Sequence, residues 1–180
     1  MEQTMEQKLS LVTKSDRYTL YRYQPTLLHP LLMDMEPMTL KRRLRYFRNF
    51  LRPGKYLVYY LALDDELIGM CAVTPGGPGL KLKCGEREDI ILGPYFILKK
   101  HRGNRHSNVM LKLVLAHHPD YRYAFDLIAD NNLPSRRTSL ASGFHVYQTL
   151  RISGPLRKYH FCEEGSTHTI YKYDRQQQAK

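Results

Sequence analysis

The stretch "KKHRGNRHSNVMLKLVLAHHPD", from Lys99 to Asp120, sets a basic turn directly before an apolar helix. The first turn of a helix leaves backbone N–H groups unpaired and carries about half a positive charge, so an anion can bind there without a particular side chain. Gly103, Asn104, His106 and Ser107 supply the turn, and Arg102 and Arg105 would add charge-assisted hydrogen bonds to phosphate oxygens. The same residues also suit a solvated basic loop that only caps a helix, and one glycine does not decide between the two. Other chemistries find little support. His101, His106, His117 and His118 cluster in sequence, but adjacent helical histidines point to different faces and no Asp, Glu or Cys stands at ligand spacing, so no metal is expected. Cys71, Cys84 and Cys162 lack a motif partner for nucleophilic catalysis and suit buried thiols. No Gly-Lys-Ser/Thr occurs, which excludes a nucleotidase P-loop.

The elements that must position this turn follow from composition and pattern. At 180 residues, with 42% hydrophobic and 25% charged, the chain reads as one domain over 1–180, with residues 1–7 and 175–180 as loose ends. A balance of 28 Lys+Arg against 17 Asp+Glu gives a net charge of +11, a field that attracts nucleic acid, acidic membrane or a phosphorylated cofactor or substrate. Three cysteines without paired spacing suit a reducing compartment, and neither a membrane span nor a signal-peptide run is visible, so a soluble cytoplasmic protein is expected.

"KLSLVT" is a first strand, "PTLLHPLLMDM" a short helical stretch interrupted by Pro30, and Thr39 caps a helix carrying Leu40, Leu44, Phe47 and Leu51 on one face. "YLVYYLAL" and "LIGMCAV" form a hairpin about "DDE", and "TPGGPG" is a loop. "DIILGPYFILKK" is a strand broken by Gly93-Pro94, after which Ser107 caps a helix from Asn108 to about His118. "YRYAFDLIAD" is a strand with Tyr121, Tyr123, Phe125 and Leu127 on one side, and "NNLPSRRTSLASGF" a short helix ended by Gly143. "HVYQTLR" and "THTIYKYD" are closing strands. The order is strand, two helices, three strands, helix, strand, helix, two strands: a mixed α/β (α+β) domain.

"IADNNLPSRRTSLASGFHVY" resembles the later half of the GNAT superfamily of N-acetyltransferases, where an Asn is followed three positions on by Ser or another small residue and then by a helix ending in Gly-Phe. "FILKKHRGNRHS" is similar to that family's strand and its Arg/Gln-x-x-Gly-x-Gly/Ala pyrophosphate turn. The resemblance runs over nearly the whole chain, with its specific motifs between about Ile90 and Phe144. It implies an acyl-CoA N-acyltransferase fold: a central, mostly antiparallel sheet with a splayed parallel pair, flanked by about four helices. It also implies acetyl-CoA as co-substrate, no metal, and direct attack of an amine through a tetrahedral intermediate.

This chain departs from the family pattern at two places. Arg105 occupies the first glycine of Gly-x-Gly/Ala, Ser107 the final small residue, and Gly103 lies between Arg102 and that pair. A helical Arg105 with its side chain outward becomes an extra phosphate ligand, the favoured reading; a positive φ there would weaken binding. Ser139 stands where many members carry a tyrosine, whereas Asn132, Ser135 and Arg137 match the Asn-x-x-Ser-x-Arg of ribosomal-protein acetyltransferases. Ser135 is then the candidate for protonating or hydrogen-bonding the thiolate, or else a helix cap, and Asn132 a cofactor contact or a turn residue.

The resemblance further implies that the N–H of Tyr95 or Phe96 faces the thioester oxygen. Phe96, Ile97, Leu98 and Lys99 run beside the pantetheine arm, and residues 102 to 107 hold the pyrophosphate. Glu88, Asp89 and Tyr95 are the candidates for general base, each alone also suiting a structural place. "LKRRLRYFRNFLRPGK" leaves Lys41, Arg42, Arg43, Arg45, Arg48 and Arg52 on its polar surface, either a solvated face or a basic rim that draws in an anionic acceptor or RNA. Tyr46, Tyr59, Tyr60, Tyr159 and Tyr171 are candidates to line an acceptor pocket.

The expected activity is N-acetyl transfer to a small amine, an amino sugar or a protein amine, by a monomer or homodimer. The alternative is a catalytically silent domain that binds an acyl-CoA or a partner, or lays its basic face on nucleic acid.

Overall fold

Strands rich in Tyr, Val, Ile and Leu form where apolar residues alternate or run together, and helices where they recur at helical spacing. The computed structural model describes residues 9–26, 31, 56–76, 86, 88–154 and 158–176. These hold β1 (Leu9–Ser15), β2 (Tyr18–Tyr23), β3 (Leu57–Leu63), β4 (Glu66–Pro75), β5 (Ile90–Ile97), α1 (His106–His117), β6 (Tyr123–Ala129), α2 (Leu133–Ala141), β7 (His145–Ser153), β8 (Lys158–Phe161) and β9 (His168–Asp174). A single 3₁₀ turn, Lys99–His101, joins β5 to α1. The architecture is mixed α+β, with mostly antiparallel strand pairs and one parallel pair.

The chain forms two compact units: Met1–Thr74 with Pro94–His117, and Pro75–Gly93 with His118–Lys180. In the first unit β1 to β4 make an antiparallel meander in chain order. Asp64 and Asp65 turn β3 into β4 with φ of 48° and 68°, a left-handed conformation that the short aspartate side chain tolerates. Tyr23, Tyr56, Val58, Tyr60, Met70 and Ala72 form its buried cluster, with Phe96 packed against them. Helix α1 buries Met110, Leu111, Val114 and Leu115. Gly69 permits the close approach beside it: a Cβ there would lie 2.4 Å from Ile97 Cδ1, 2.9 Å from the Phe96 carbonyl oxygen and 3.4 Å from Met110 Sδ.

In the second unit β5 opens parallel to β6, with Ile90–Leu92 opposite Ala124–Asp126. β6 then pairs with β9, β9 with β7 and β7 with β8, all antiparallel. Ile91, Phe125, Leu150 and Ile170 are its buried cluster. Helix α2 is held by Arg136, whose Nε donates to Tyr171 Oη at 2.9 Å and Nη1 to the Asp130 carbonyl at 3.1 Å.

Several sequence expectations need correction. β2 and β8 have no counterpart among the expected strands. β6 forms where a strand is expected but begins at Tyr123, and Ala124, Asp126 and Ile128 on its other face are as buried as Phe125. Tyr59, Tyr60 and Tyr171 are fully buried core residues rather than pocket lining, since β3 and β9 are interior strands. Two α-helices occur among the described residues, which does not support the expected four. The expected helix over 39–51, most of that over 25–35, the basic side chains Lys41 to Arg52, Tyr46, Cys84 and the second half of "TPGGPG" lie outside the described residues, while Thr74 and Pro75, expected in a loop, end β4.

Candidate functional site

The anion-binding candidate is built on the end of β5. The strand stops at Ile97, and the Leu98 N–H donates to the Ile68 carbonyl of β4 at 2.8 Å. Lys99–His101 then coils into the 3₁₀ turn, closed by His101 N–H to the Leu98 carbonyl at 2.9 Å and Arg102 N–H to the Lys99 carbonyl at 3.3 Å. The strand expected to run on to Lys100 therefore ends at Ile97, because Lys99–His101 has already coiled.

Gly103 has φ of 90° and Arg105 φ of 58°. The Arg105 carbonyl accepts from Asn108 N–H at 2.9 Å and Val109 N–H at 3.3 Å, which makes Arg105 the cap and His106 the first helical residue. Two expectations change. Ser107 lies inside the first turn rather than capping it, and Arg105 is left-handed rather than right-handed helical, at a cost of about 1 kcal/mol for a residue with a Cβ. Its side chain is exposed, as are Arg102, Gly103 and Asn104. Arg102 folds back, its Nε donating to the Ile97 carbonyl at 2.9 Å with its guanidinium 5.9 Å from the centre of the Phe96 ring.

His106 is buried, and its Nδ1 is hydrogen-bonded to Tyr18 Oη at 2.8 Å. Burial first, then the nearby His101 and Arg17, push the His106 imidazole below its ordinary range, which keeps it neutral near pH 7. Sequence reasoning misses Tyr18, because a tyrosine on a distant strand carries no motif.

The second unit carries the downstream motif. Asn132 is the cap of α2: its Oδ1 accepts from Ser135 N–H at 3.3 Å, with Pro134 in the first turn. Ser135 is half-buried and Arg137 exposed on that helix. Ser139, at the place of the family's tyrosine, is fully buried, and its hydroxyl donates to Asp126 Oδ2 at 2.5 Å, fixing α2 to β6. Gly143, with φ of 94°, ends the segment.

The acid candidates separate clearly. Glu88 is exposed in a turn, its carbonyl accepting from Arg122 N–H at 3.0 Å. Asp89 is 2% exposed: Oδ1 accepts from Tyr123 N–H at 3.1 Å, Oδ2 from Glu86 N–H at 2.6 Å, and its carbonyl from Gly76 N–H at 2.6 Å. The carboxylate thus holds Glu86 and Tyr123, and the main-chain carbonyl holds Gly76. Tyr95 is half-buried beyond Gly93, whose φ of 112° marks the expected break in β5.

Among the described residues no helix is long and apolar enough to cross a membrane, and no group of His, Cys, Asp and Glu is arranged to hold a metal ion. No protein-family model matches the chain, and no curated protein matches its sequence. Solved structures do match in fold. RimL, a ribosomal L7/L12 alpha-N-protein acetyltransferase, is similar with a TM-score of 0.63 at 14% identity, over 92% of this chain and 94% of that one. An acetyltransferase from Thermus thermophilus matches at TM-score 0.54 and 20% identity, over 77% of each chain. AAC(6')-Ib, in a complex with ribostamycin and coenzyme A, matches at TM-score 0.58 and 14% identity, over 80% of this chain and 78% of that one. The chain has the GNAT N-acetyltransferase fold.

Proposed function

We propose that the protein is an acetyl-CoA-dependent N-acetyltransferase acting on a primary amine of a small molecule, an amino sugar or a protein. The observation that carries this reading is the exposed basic turn from Arg102 to Arg105 leading directly into the first turn of α1, in a fold shared with acetyltransferases; the positive φ of Arg105 counts against tight binding there. The neighbours lend support at the level of chemistry: RimL is described as acetylating a protein α-amine, and AAC(6')-Ib was solved with coenzyme A. The reduced thiols of Cys71 and Cys162 suit a cytoplasmic location.

When bound, acetyl-CoA supplies a thioester carbonyl for a deprotonated amine to attack, and coenzyme A leaves as the thiolate. The first-turn amides of α1 and the exposed Arg105 guanidinium would neutralise the pyrophosphate. A backbone N–H at Tyr95 or Phe96, next to the break in β5, would stabilise the developing oxyanion. Half-buried Ser135, in the first turn of α2, would hydrogen-bond the leaving thiolate, with Asn132 holding that turn. Glu88 and Tyr95 are the proposed bases, reached directly or through water. Asp89 and Ser139 are given structural roles, since their polar atoms are already engaged inside the fold.

Arg105 at a glycine position and the buried Ser139 at a tyrosine position favour the second reading, a domain that binds an acyl-CoA without turning it over. Thermal unfolding with acetyl-CoA, followed by thiol release across a panel of amines, separates the two. A raised midpoint with thiol release is expected of the enzyme. A raised midpoint without release leaves the silent binder, and no shift at millimolar ligand removes both.

A further inference from the structure

The exposed turn Arg102–Arg105 stands between two side-chain clamps within the first unit. On its near side the Glu66 carboxylate, at the start of β4, pairs with Lys100, and one of its oxygens lies 3.3 Å from His101 Nε2. On its far side the buried His106, first residue of α1, is held by Tyr18, first residue of β2, at 2.8 Å with ring centroids 5.7 Å apart and planes at 64°. His101 and His106 meet edge to face at 6.3 Å, so the two clamps touch behind the turn. Arg102 is anchored to Ile97 and Phe96, but Gly103 to Arg105 are exposed with two positive-φ positions, and their shape depends on what fixes the two ends of the turn.

We propose that Tyr18, through His106, and Glu66, through Lys100 and His101, are positioning residues for the phosphate-binding turn, setting the direction in which its amides and Arg105 face the pyrophosphate of acetyl-CoA. This rests on the acetyltransferase reading for its ligand, but not for its effect on the turn. Removing the Tyr18 hydroxyl leaves a buried imidazole nitrogen without that partner, so the first helical residue gains freedom to shift. Neither side chain touches the reacting atoms, and neither is assigned a chemical step.

The test uses Tyr18→Phe, with Glu66→Gln as a second variant should the first unfold, and has two arms. In the ligand-free protein, the amide resonances of Gly103 to Ser107 are expected to shift and their hydrogen exchange to quicken, with the amides of β3 unmoved. In the ligand arm, acetyl-CoA should bind more weakly, by up to about tenfold, the limit reached if the whole of that hydrogen bond serves to hold the turn in its binding shape. S-acetylpantetheine, which lacks the phosphates, should bind as to the parent, and kcat at saturating acetyl-CoA should hold. Unchanged turn amides in both variants would overturn the proposal whatever the ligand result, as would equal weakening toward both ligands. Shifted turn amides in a protein that binds no acetyl-CoA would keep the positioning role and remove the acetyltransferase reading instead.

Discussion

Replacing Asp89 by Asn separates a structural carboxylate from a catalytic one. Asp89 is buried, and each of its oxygens accepts a backbone N–H, from Glu86 at 2.6 Å and from Tyr123 at 3.1 Å. Asparagine keeps one acceptor and turns an N–H₂ donor toward the other amide. The substitution therefore loses one charge-assisted hydrogen bond and leaves a buried N–H facing a donor. A hydrogen bond to a charged group contributes about 1.5–3 kcal/mol and an unsatisfied buried group costs about 1–3 kcal/mol, with overlap between the two, so about 2–4 kcal/mol of stability should be lost. For a chain of this size each kcal/mol lowers Tm by about 2–4 °C, which gives a fall of about 5–15 °C. Thermal and urea unfolding measure this directly. The turnover of the folded fraction, measured well below the new midpoint, should match the parent. An unchanged midpoint with kcat reduced by about a hundredfold or more, as expected for loss of a general base, would refute the structural assignment.

Gly69→Ala should destabilise by about 2 kcal/mol or more, because its Cβ would meet the Phe96 carbonyl oxygen as well as the movable Ile97 side chain; urea unfolding measures it, and a neutral result would mean that β4 can shift away from β5. Arg105→Gly should remove about 1 kcal/mol of left-handed backbone strain, offset in part by the greater freedom of glycine in the unfolded chain, while weakening acetyl-CoA several-fold through the lost guanidinium. Tighter binding in that variant, read by calorimetry, would show that the arginine obstructs the turn. Stability should fall as pH drops below about 6.5, the ordinary value for histidine, because burial, His101 and Arg17 hold His106 below it and the unfolded chain takes up the proton first. Above that pH the contribution is fully present. Tm measured from about pH 8 to pH 5 should show this slope, and His106→Gln, which removes the titrating ring beside Tyr18, His101 and the Glu66–Lys100 pair, should flatten it.

The strand-turn-helix around Gly103 was legible because its signals are local: Gly93-Pro94 makes β5 irregular without ending it, basic residues fill the turn, and an apolar helix follows. The Gly143 stop was equally readable, but the cap of α2 was not: it is Asn132, whose side chain accepts from Ser135 N–H, where Ser135 itself was the expected cap. What escaped depends on residues far apart in sequence. β2 pairs with β3, which begins 34 residues after β2 ends, and β8 is only four residues long with polar residues alternating. Nothing in "GEREDII" says that Asp89 is buried while Glu88 is not; Tyr123 on another strand decides it. The left-handed Arg105 is set by the path from Ile97 into α1, and a residue with a Cβ gives no local sign of that. Ser139 and Tyr171 are polar by type, yet their partners Asp126 and Arg136 make them part of the interior.

The claim on which the rest depends is that the turn from Arg102 to Ser107 receives the phosphates of an acyl-CoA. Amide NMR during titration with acetyl-CoA tests it most directly. The expected result is saturable binding with its largest shifts at the amides of Gly103, Asn104, Arg105, His106 and Ser107. Shifts centred elsewhere in the chain, or none at millimolar acetyl-CoA, would contradict it.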